Sequence, residues 1–330
     1  MLYYPNIPFA LYYAIKARSL TFITAVNPSI ENSGIGTESK FKTIQLIPTE
    51  FLPKTVFHVG NSSIEKTIEE IKKQAINFPL IVKPDIGFRG LLVEKINSEE
   101  ELIQFLKKYE IDILIQEFLT EKNECGIFFY RFPNQQKGNI TSITLKKFLY
   151  VIGDGKSTIK QLMNSDERAK LYVEIIKKDN QIDLNFIPEK DKKLNLSVIG
   201  NHSKGTQFIN GNHLITAKLE ATINKLNTKI EGWYYGRLDI KYNSFEDLEK
   251  GNFKILEING ILAEPTHIYD ATKTSYFKAL KEIRSHWKKL YKIAKINHAI
   301  HAVSYVSPKK LIKDTVNLKK YTTKLKKIST

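Results

Sequence analysis

Two runs near position 250 constrain the fold more than any other part of this 330-residue chain. Gly236-Arg-Leu-Asp-Ile-Lys-Tyr242 alternates polar and apolar residues, and Phe253-Lys-Ile-Leu-Glu-Ile-Asn-Gly260 does so again shortly afterwards. Successive side chains of a strand point to opposite faces. Arg237, Asp239 and Lys241 therefore share one face, with Leu238, Ile240 and Tyr242 on the other, and Glu257 shares a face of the second run with Asn259. If the two strands pair, two carboxylates and an amide oxygen converge. Such a hard, oxygen-rich set suits Mg2+, which takes few protein ligands and shares the rest of its shell with phosphate and water. The exposed polar face of a hairpin satisfies the same pattern.

Upstream, Phe78 to Val82 reads as a buried strand ending in Lys83-Pro-Asp-Ile-Gly-Phe-Arg-Gly90, with a second apolar run from Leu91 to Ile96. Glycines let backbone amides approach phosphate oxygens, and a lysine at a strand end adds a point charge. A Gly-containing hairpin reads the same way. A helix is expected over 62–76, with Ser62 as cap and Glu65 closing a capping box, and another from Ser98 to about Tyr109. Ile111 to Gln116 is a strand that runs into Glu117, and Glu124 and Cys125 follow. Ile127–Phe132 and Ile140–Ile152 read as strands, and Gly153-Asp-Gly155 as a tight turn before a helix from about Ser157. Asn201 to Asn212 is a Gly- and Asn-rich loop, and Ala217 to Ile230 a helix. Residues 1–60 read as irregular, with a turn-rich stretch from Asn27 to Ser39. The whole is α+β with largely antiparallel sheets.

Composition matters at three points. A lone cysteine, Cys125, excludes an internal disulfide framework and a Cys-based zinc cluster. No apolar run is long enough to span a bilayer, and the apolar stretch Ile7–Ile15 has basic residues after it rather than before it, so a cytoplasmic protein is expected. The net charge of +16 is local: Ala271 to Thr330 holds sixteen Lys or Arg against Glu282 and Asp314, and the rest of the chain is nearly neutral. The excess belongs to a basic C-terminal appendage. Its first helix, expected over Ser275–Asn297, places Phe277, Leu280, Ile283, Trp287, Leu290 and Ile293 at helical spacing. That helix either docks on the core or contacts an anionic membrane, a nucleic acid or a polyanionic substrate. The aromatic cluster at Tyr3, Tyr4, Phe9, Tyr12 and Tyr13 either covers the core or touches a bilayer.

The order of these motifs resembles the ATP-grasp superfamily, and within it the D-alanine–D-alanine ligase-like carboxylate–amine ligases. The elements that carry it are Lys83 through Gly90, Gln116-Glu-Phe118, Glu124, Arg237-Leu-Asp239 and Leu256-Glu-Ile-Asn259. Val151-Ile-Gly-Asp-Gly-Lys-Ser-Thr-Ile159 is also similar to a loop of cyanophycin synthetase-type enzymes. The resemblance implies two α+β subdomains gripping ATP between antiparallel sheets. It implies a core over 61–270, divided into a nucleotide-binding part (61–120) and a catalytic part (121–270). A reduced N-terminal segment (1–60) and the basic helical extension (271–330) flank it. Lys83 and Lys40 would hold the α- and β-phosphates. Gly87, Phe88, Arg89 and Gly90 would form a lid over the β- and γ-phosphates. Gln116, Glu117, Phe118, Leu119 and Leu256 would surround adenine, and Glu124 would face the ribose. Asp239, Glu257 and Asn259 would hold Mg2+, two ions with Glu257 bridging, or Mn2+ in its place. Arg237 stands where the family stabilises a transferred phosphoryl group.

The activity so implied is ATP-dependent joining of a small carboxylate, anionic in one reading, to an amine. The alternatives are a phosphotransferase with a non-amine acceptor, and a non-catalytic nucleotide-binding protein that uses its basic tail on RNA or membrane. His202 and Lys204, in Asn201-His-Ser-Lys-Gly-Thr206, are candidates for contact with the triphosphate or acyl group, or form a solvated turn. Glu264 and His267 follow the metal strand where the D-alanine ligases have a Ser/Pro/Gly turn, which counts against D-alanine as substrate. Only about forty residues precede Lys40, so part of the usual substrate wall would come from the C-terminal segment or from a second subunit in a homodimer.

Overall fold

The computed structural model describes residues 2–87, 90–179, 182–197 and 199–328. The chain divides into two compact units, one of residues 1–145 and 210–330, the other of residues 146–209.

The larger unit begins with α1 (Ile7–Ala17), α2 (Lys40–Ile44), β1 (Thr55–His58) and α3 (Ile64–Lys73). It continues through β2 (Leu80–Pro84), β3 (Glu94–Ile96), α4 (Glu99–Lys108), β4 (Ile113–Glu117), β5 (Asn123–Tyr130) and β6 (Asn139–Lys147). The region expected to be irregular thus contains a helix. Proline at the first turn of α1 costs nothing there, because its missing N–H has no intrahelical partner in any case. The cap of α3 is Ser63 rather than Ser62: its hydroxyl accepts from Lys66 N and holds Glu65, so the helix starts later than expected. α4 is capped by Ser98, with Glu99, Glu100 and Glu101 in its first turn and Lys107 and Lys108 in its last, matching the helix dipole at both ends.

The first sheet runs β1-β4-β2-β3, antiparallel throughout. β4 and β2 lie in its centre, and their Ile113, Ile115, Leu80 and Val82 are buried against Ile71 of α3 and Leu102 and Phe105 of α4. Fully burying one such side chain is worth about 1.5–3 kcal/mol.

The smaller unit holds β7 (Tyr150–Ile152), α5 (Ile159–Ser165), α6 (Val173–Asp179), β8 (Lys193–Asn195) and most of β9 (Gln207–Asn210). The expected single strand Ile140–Ile152 is therefore two. β7 pairs instead with β8 over a small core that includes Leu149, Ile159, Met163 and Ile176. Asp154 makes the turn before α5, its carboxylate accepting from Lys156 N, Ser157 N and Ser157 Oγ. These bonds hold it down to about 2.

The chain returns through α7 (Ala217–Asn227), β10 (Tyr235–Tyr242), α8 (Phe245–Lys250) and β11 (Phe253–Asn259), and ends in α9 (Tyr276–Ile300) and α10 (Pro308–Ile328). Within the larger unit the second sheet runs β11-β10-β5-β6. One of its faces packs on Leu219, Ile223 and Leu226 of α7 and on the fully buried Trp233. α9 buries Leu290, Ile293 and Ala294 against Phe22, Ala25 and Val26, and Leu325 of α10 enters the core of the first sheet. The basic extension is thus docked by its apolar stripes. The fold is of mixed helix and antiparallel sheet with C-terminal helices.

Candidate active site

β10 and β11 pair as their alternation requires. Asp239 lies opposite Glu257 and Arg237 opposite Asn259, so all four project from one face. The register slips between Asp239 and Ile240, which pair with Glu257 and Ile255 and leave Leu256 as the extra residue of a bulge. A bulge frees a carbonyl from the ladder, and the Leu256 oxygen accepts from Lys83 Nζ at 3.0 Å. One backbone irregularity in the second sheet thereby receives the lysine from β2 of the first.

Lys83 is buried. Burial pushes its ammonium down to about 8, against the opposing pull of Glu257, and Lys40 pushes the same way as burial; Asp239 and Glu124 help to hold the charge. The site is therefore an interior lysine ringed by carboxylates from both later strands. Lys40 opens α2 under the Ser39 cap, and its Nζ donates to Gly87 O at 2.5 Å and Asp85 O at 3.2 Å. Two lysines thus meet at the start of the glycine loop. Gly90 adopts φ 71°, a conformation open to glycine. Phe88 and Arg89, between the two loop glycines, lie outside the described residues.

Arg237 clamps Asp239 with two bonds, Nε to Oδ1 at 2.7 Å and Nη2 to Oδ2 at 3.1 Å, and donates through Nη1 to Glu264 O at 3.2 Å. Gly236 precedes it because any side chain there would overlap the carbonyl oxygen of Asn259. The donor set fits Mg2+. Two carboxylates face each other with an amide beside them; the Asn259 Nδ2 atom, buried without a hydrogen-bond partner among the described residues, can only donate, so an ion would be met by the amide oxygen. Among the described residues no group of three or more His, Cys, Asp or Glu could hold a metal. An ion here would draw most of its shell from phosphate and water.

The stretch from Gln116 to Leu119 is held by its neighbours. Gln116 Nε2 donates to Thr55 Oγ1, and Glu117 clasps Lys54 through its backbone N–H and one side-chain oxygen. Phe118 lies under Lys95 at 4.8 Å, and Leu119 O accepts from Lys241 Nζ at 3.4 Å. Glu124 is buried opposite Lys241. Cys125 is buried.

His202 and Lys204 form a short turn capped by Asn201, with the His202 ring against Phe208. They belong to the smaller unit. Glu264 accepts from Tyr269 OH at 2.9 Å. His267 is buried, and burial pushes its imidazole down to about 4.

Three contributors escape a reading of motifs. Glu38 accepts from Gly36 N, and burial raises its carboxyl, with Glu257 pushing in the same direction. Asp85 binds Ser39 Oγ and Phe41 N, stitching α2 to the end of β2. Asn27 accepts from Tyr234 N and Tyr235 N and donates to Tyr235 O, fixing the start of β10. Asp85 follows Lys83-Pro84 directly, so its place beside the lysine was available; Glu38 and Asn27 carried no local signal.

Residues 37–170 match the RimK-like ATP-grasp domain. That match covers less than half of the chain. Similar solved structures include the VanG D-Ala:D-Ser ligase of Enterococcus faecalis (13% identity, TM-score 0.46, 78% of this chain and 64% of that one). A D-alanine–D-alanine ligase of Bacillus anthracis is similar at 16% identity and TM-score 0.44, over 80% of this chain and 71% of that one. A bifunctional glutathione synthetase of Pasteurella multocida is similar at 15% identity and TM-score 0.38, over 76% and 37%. The chain thus spans less than two thirds of the VanG ligase. No curated protein sequence matches it.

Proposed function

We propose that the protein is an ATP- and Mg2+-dependent carboxylate–amine ligase. The observation that carries this reading is the buried Lys83 ammonium, held on the Leu256 carbonyl and surrounded by Glu257, Asp239 and Glu124. Interior charge costs free energy unless it is partnered, and a lysine kept there beside two facing carboxylates serves a phosphate ligand better than it serves stability.

Lys83 and Lys40 hold the α- and β-phosphates, and the Gly87–Gly90 loop covers the terminal ones. The stretch from Gln116 to Leu119, with Leu256, faces adenine, and Glu124 the ribose. Asp239, Glu257 and Asn259 hold Mg2+, which when bound neutralises charge on the triphosphate. A substrate carboxylate oxygen attacks the γ-phosphorus and ADP leaves. The acylphosphate's carbonyl carbon is then attacked by an amine, phosphate leaves, and the nitrogen loses a proton to give the amide. Phosphoryl transfer depends on placement and charge neutralisation more than on covalent help. Arg237 stabilises the charge of the transferred group, and for that it must share or leave Asp239. Contacts from Glu264 and His267 to the acid or amine complete the reading.

A thermal-shift titration tests it. A non-hydrolysable ATP analogue with Mg2+ should raise the Tm of the wild type, because the ligand binds the native state. The rise should vanish in Glu257→Ala. A wild type that does not respond at millimolar nucleotide would sink the ligase reading.

A further inference from the structure

α1 carries its apolar stripe on the wrong side for a globular protein. Ile7, Leu11 and Ile15 recur every fourth residue, the spacing that normally faces a core, yet all three are exposed, Ile15 at 77%. Tyr4 and Tyr12 extend the same exposed face. The buried side of the helix is made of Ala14 with Tyr13, which stacks on Tyr291 of α9. Contiguous exposed apolar surface of this kind marks a site of contact.

Its surroundings are mainly basic, with Glu264 near Tyr3 and Glu282 on α9 as the acidic exceptions. The first acidic residue of the chain is Glu31. Lys16 lies over the Tyr12 and Tyr291 rings, and Arg284 of α9 reaches α1, bonding Asn6 and covering the Phe9 ring at 4.6 Å. Arg284 belongs to an exposed basic row, Lys281, Arg284, Lys288 and Lys295, spaced along one side of α9. Phe277, 79% exposed, lies at the head of that row. Among the described residues no helix is long and apolar enough to cross a membrane.

We propose that the α1 face, with the basic row of α9, docks the protein on the surface of a lipid bilayer that bears anionic headgroups. An aliphatic and aromatic stripe bordered by Lys and Arg matches an acyl layer beneath a phosphate layer. Charge decides against the alternatives. A two-fold contact between copies through this face would set basic row against basic row. A nucleic acid would leave Ile7, Leu11 and Ile15 with nothing apolar to cover them.

The test is co-sedimentation of the full chain with vesicles of phosphatidylcholine alone or mixed with phosphatidylglycerol. The wild type should bind the mixed vesicles only, less at high salt. Leu11→Glu with Ile15→Glu should weaken binding at least about tenfold, since both remove apolar insertion. Lys288→Glu with Lys295→Glu should weaken it as well. All four positions are exposed, so an unchanged melting curve is expected, and it guards against misfolding. The proposal is overturned if the wild type ignores the mixed vesicles. It is overturned if the Leu11/Ile15 pair binds as well as the wild type while Lys319→Glu with Lys320→Glu, on α10, does not. It is also overturned if light scattering shows a dimer that the Leu11/Ile15 pair dissociates.

Discussion

The chain places lysine in two contrasting settings. Lys83 and Lys40 are drawn to the junction of the two sheets, where one is buried on a carbonyl and the other bonds two backbone oxygens. Lys281, Lys288 and Lys295 stand on an open helix face. The first setting shifts an ammonium down to about 8 and ties it to Glu257 and Asp239; the second leaves charge in water. Most of the net charge of +16 belongs to the second kind, so the number that first draws the eye says little about catalysis. What counts is the environment of the few lysines inside.

This contrast can be broken from either side. The largest effect is expected at Lys83. Lys83→Met should cut ATP-dependent phosphate release by about a hundredfold or more, the scale for losing one charge-stabilising donor. The protein should still fold, since the methionine fills the same buried path. Phosphate release near the wild-type rate would remove Lys83 from the mechanism.

Arg237→Met comes next. It leaves Asp239 buried without its clamp, and removing one partner of such a pair costs about 3–5 kcal/mol. Part of that penalty should be relieved in Arg237→Met with Asp239→Asn, and denaturant melts of the two variants would show whether the coupling exists.

The acid side of the stability profile should be smaller but distinctive. Burial holds His267 at about 4, below its ordinary 6.5, with Glu282 opposing and His286 assisting. A depressed histidine contributes stability that is complete above about 6.5 and is lost as pH falls toward about 4. Tm should decline across that window, and more shallowly in His267→Gln. Parallel profiles would show that His267 takes its proton without penalty. Smallest of all is Lys288→Glu with Lys295→Glu, whose effect on stability should stay within about 0.5 kcal/mol per site. A larger loss would mean that the exposed row supports the fold after all.

How much of this was legible in the sequence differs by element. β11 was readable to its ends, and β10 to within two residues, because alternation, interrupted in β11 at Ile255-Leu256, is a local property: the period of a strand is two, whatever it packs against. α4 was equally plain, since Ser98 and the acids after it satisfy the helix terminus from within the same turn. The facing of Asp239 and Glu257 followed from the same alternation once pairing was assumed.

Other features were invisible for definite reasons. The bulge at Leu256 depends on how two strands share a ladder; the adjacent Ile255 and Leu256 interrupt the alternation but do not say which carbonyl is freed. The role of Asn27 rests on β10, more than two hundred residues away, whose backbone amides it binds. Glu38 becomes a site residue only because the end of β2 and the bulged strand fold toward it. α1 was the reverse case. Its stripe at every fourth residue was there to be read, but periodicity says only that a face is apolar, and whether that face meets a core or water depends on which side α9 occupies. The sequence by itself determined the strands, the caps and the identity of the charged groups, since these follow from residues close in the chain. Only the tertiary structure decided which of those groups are buried together and which remain in solvent, because desolvation depends on neighbours that come from distant parts of the chain.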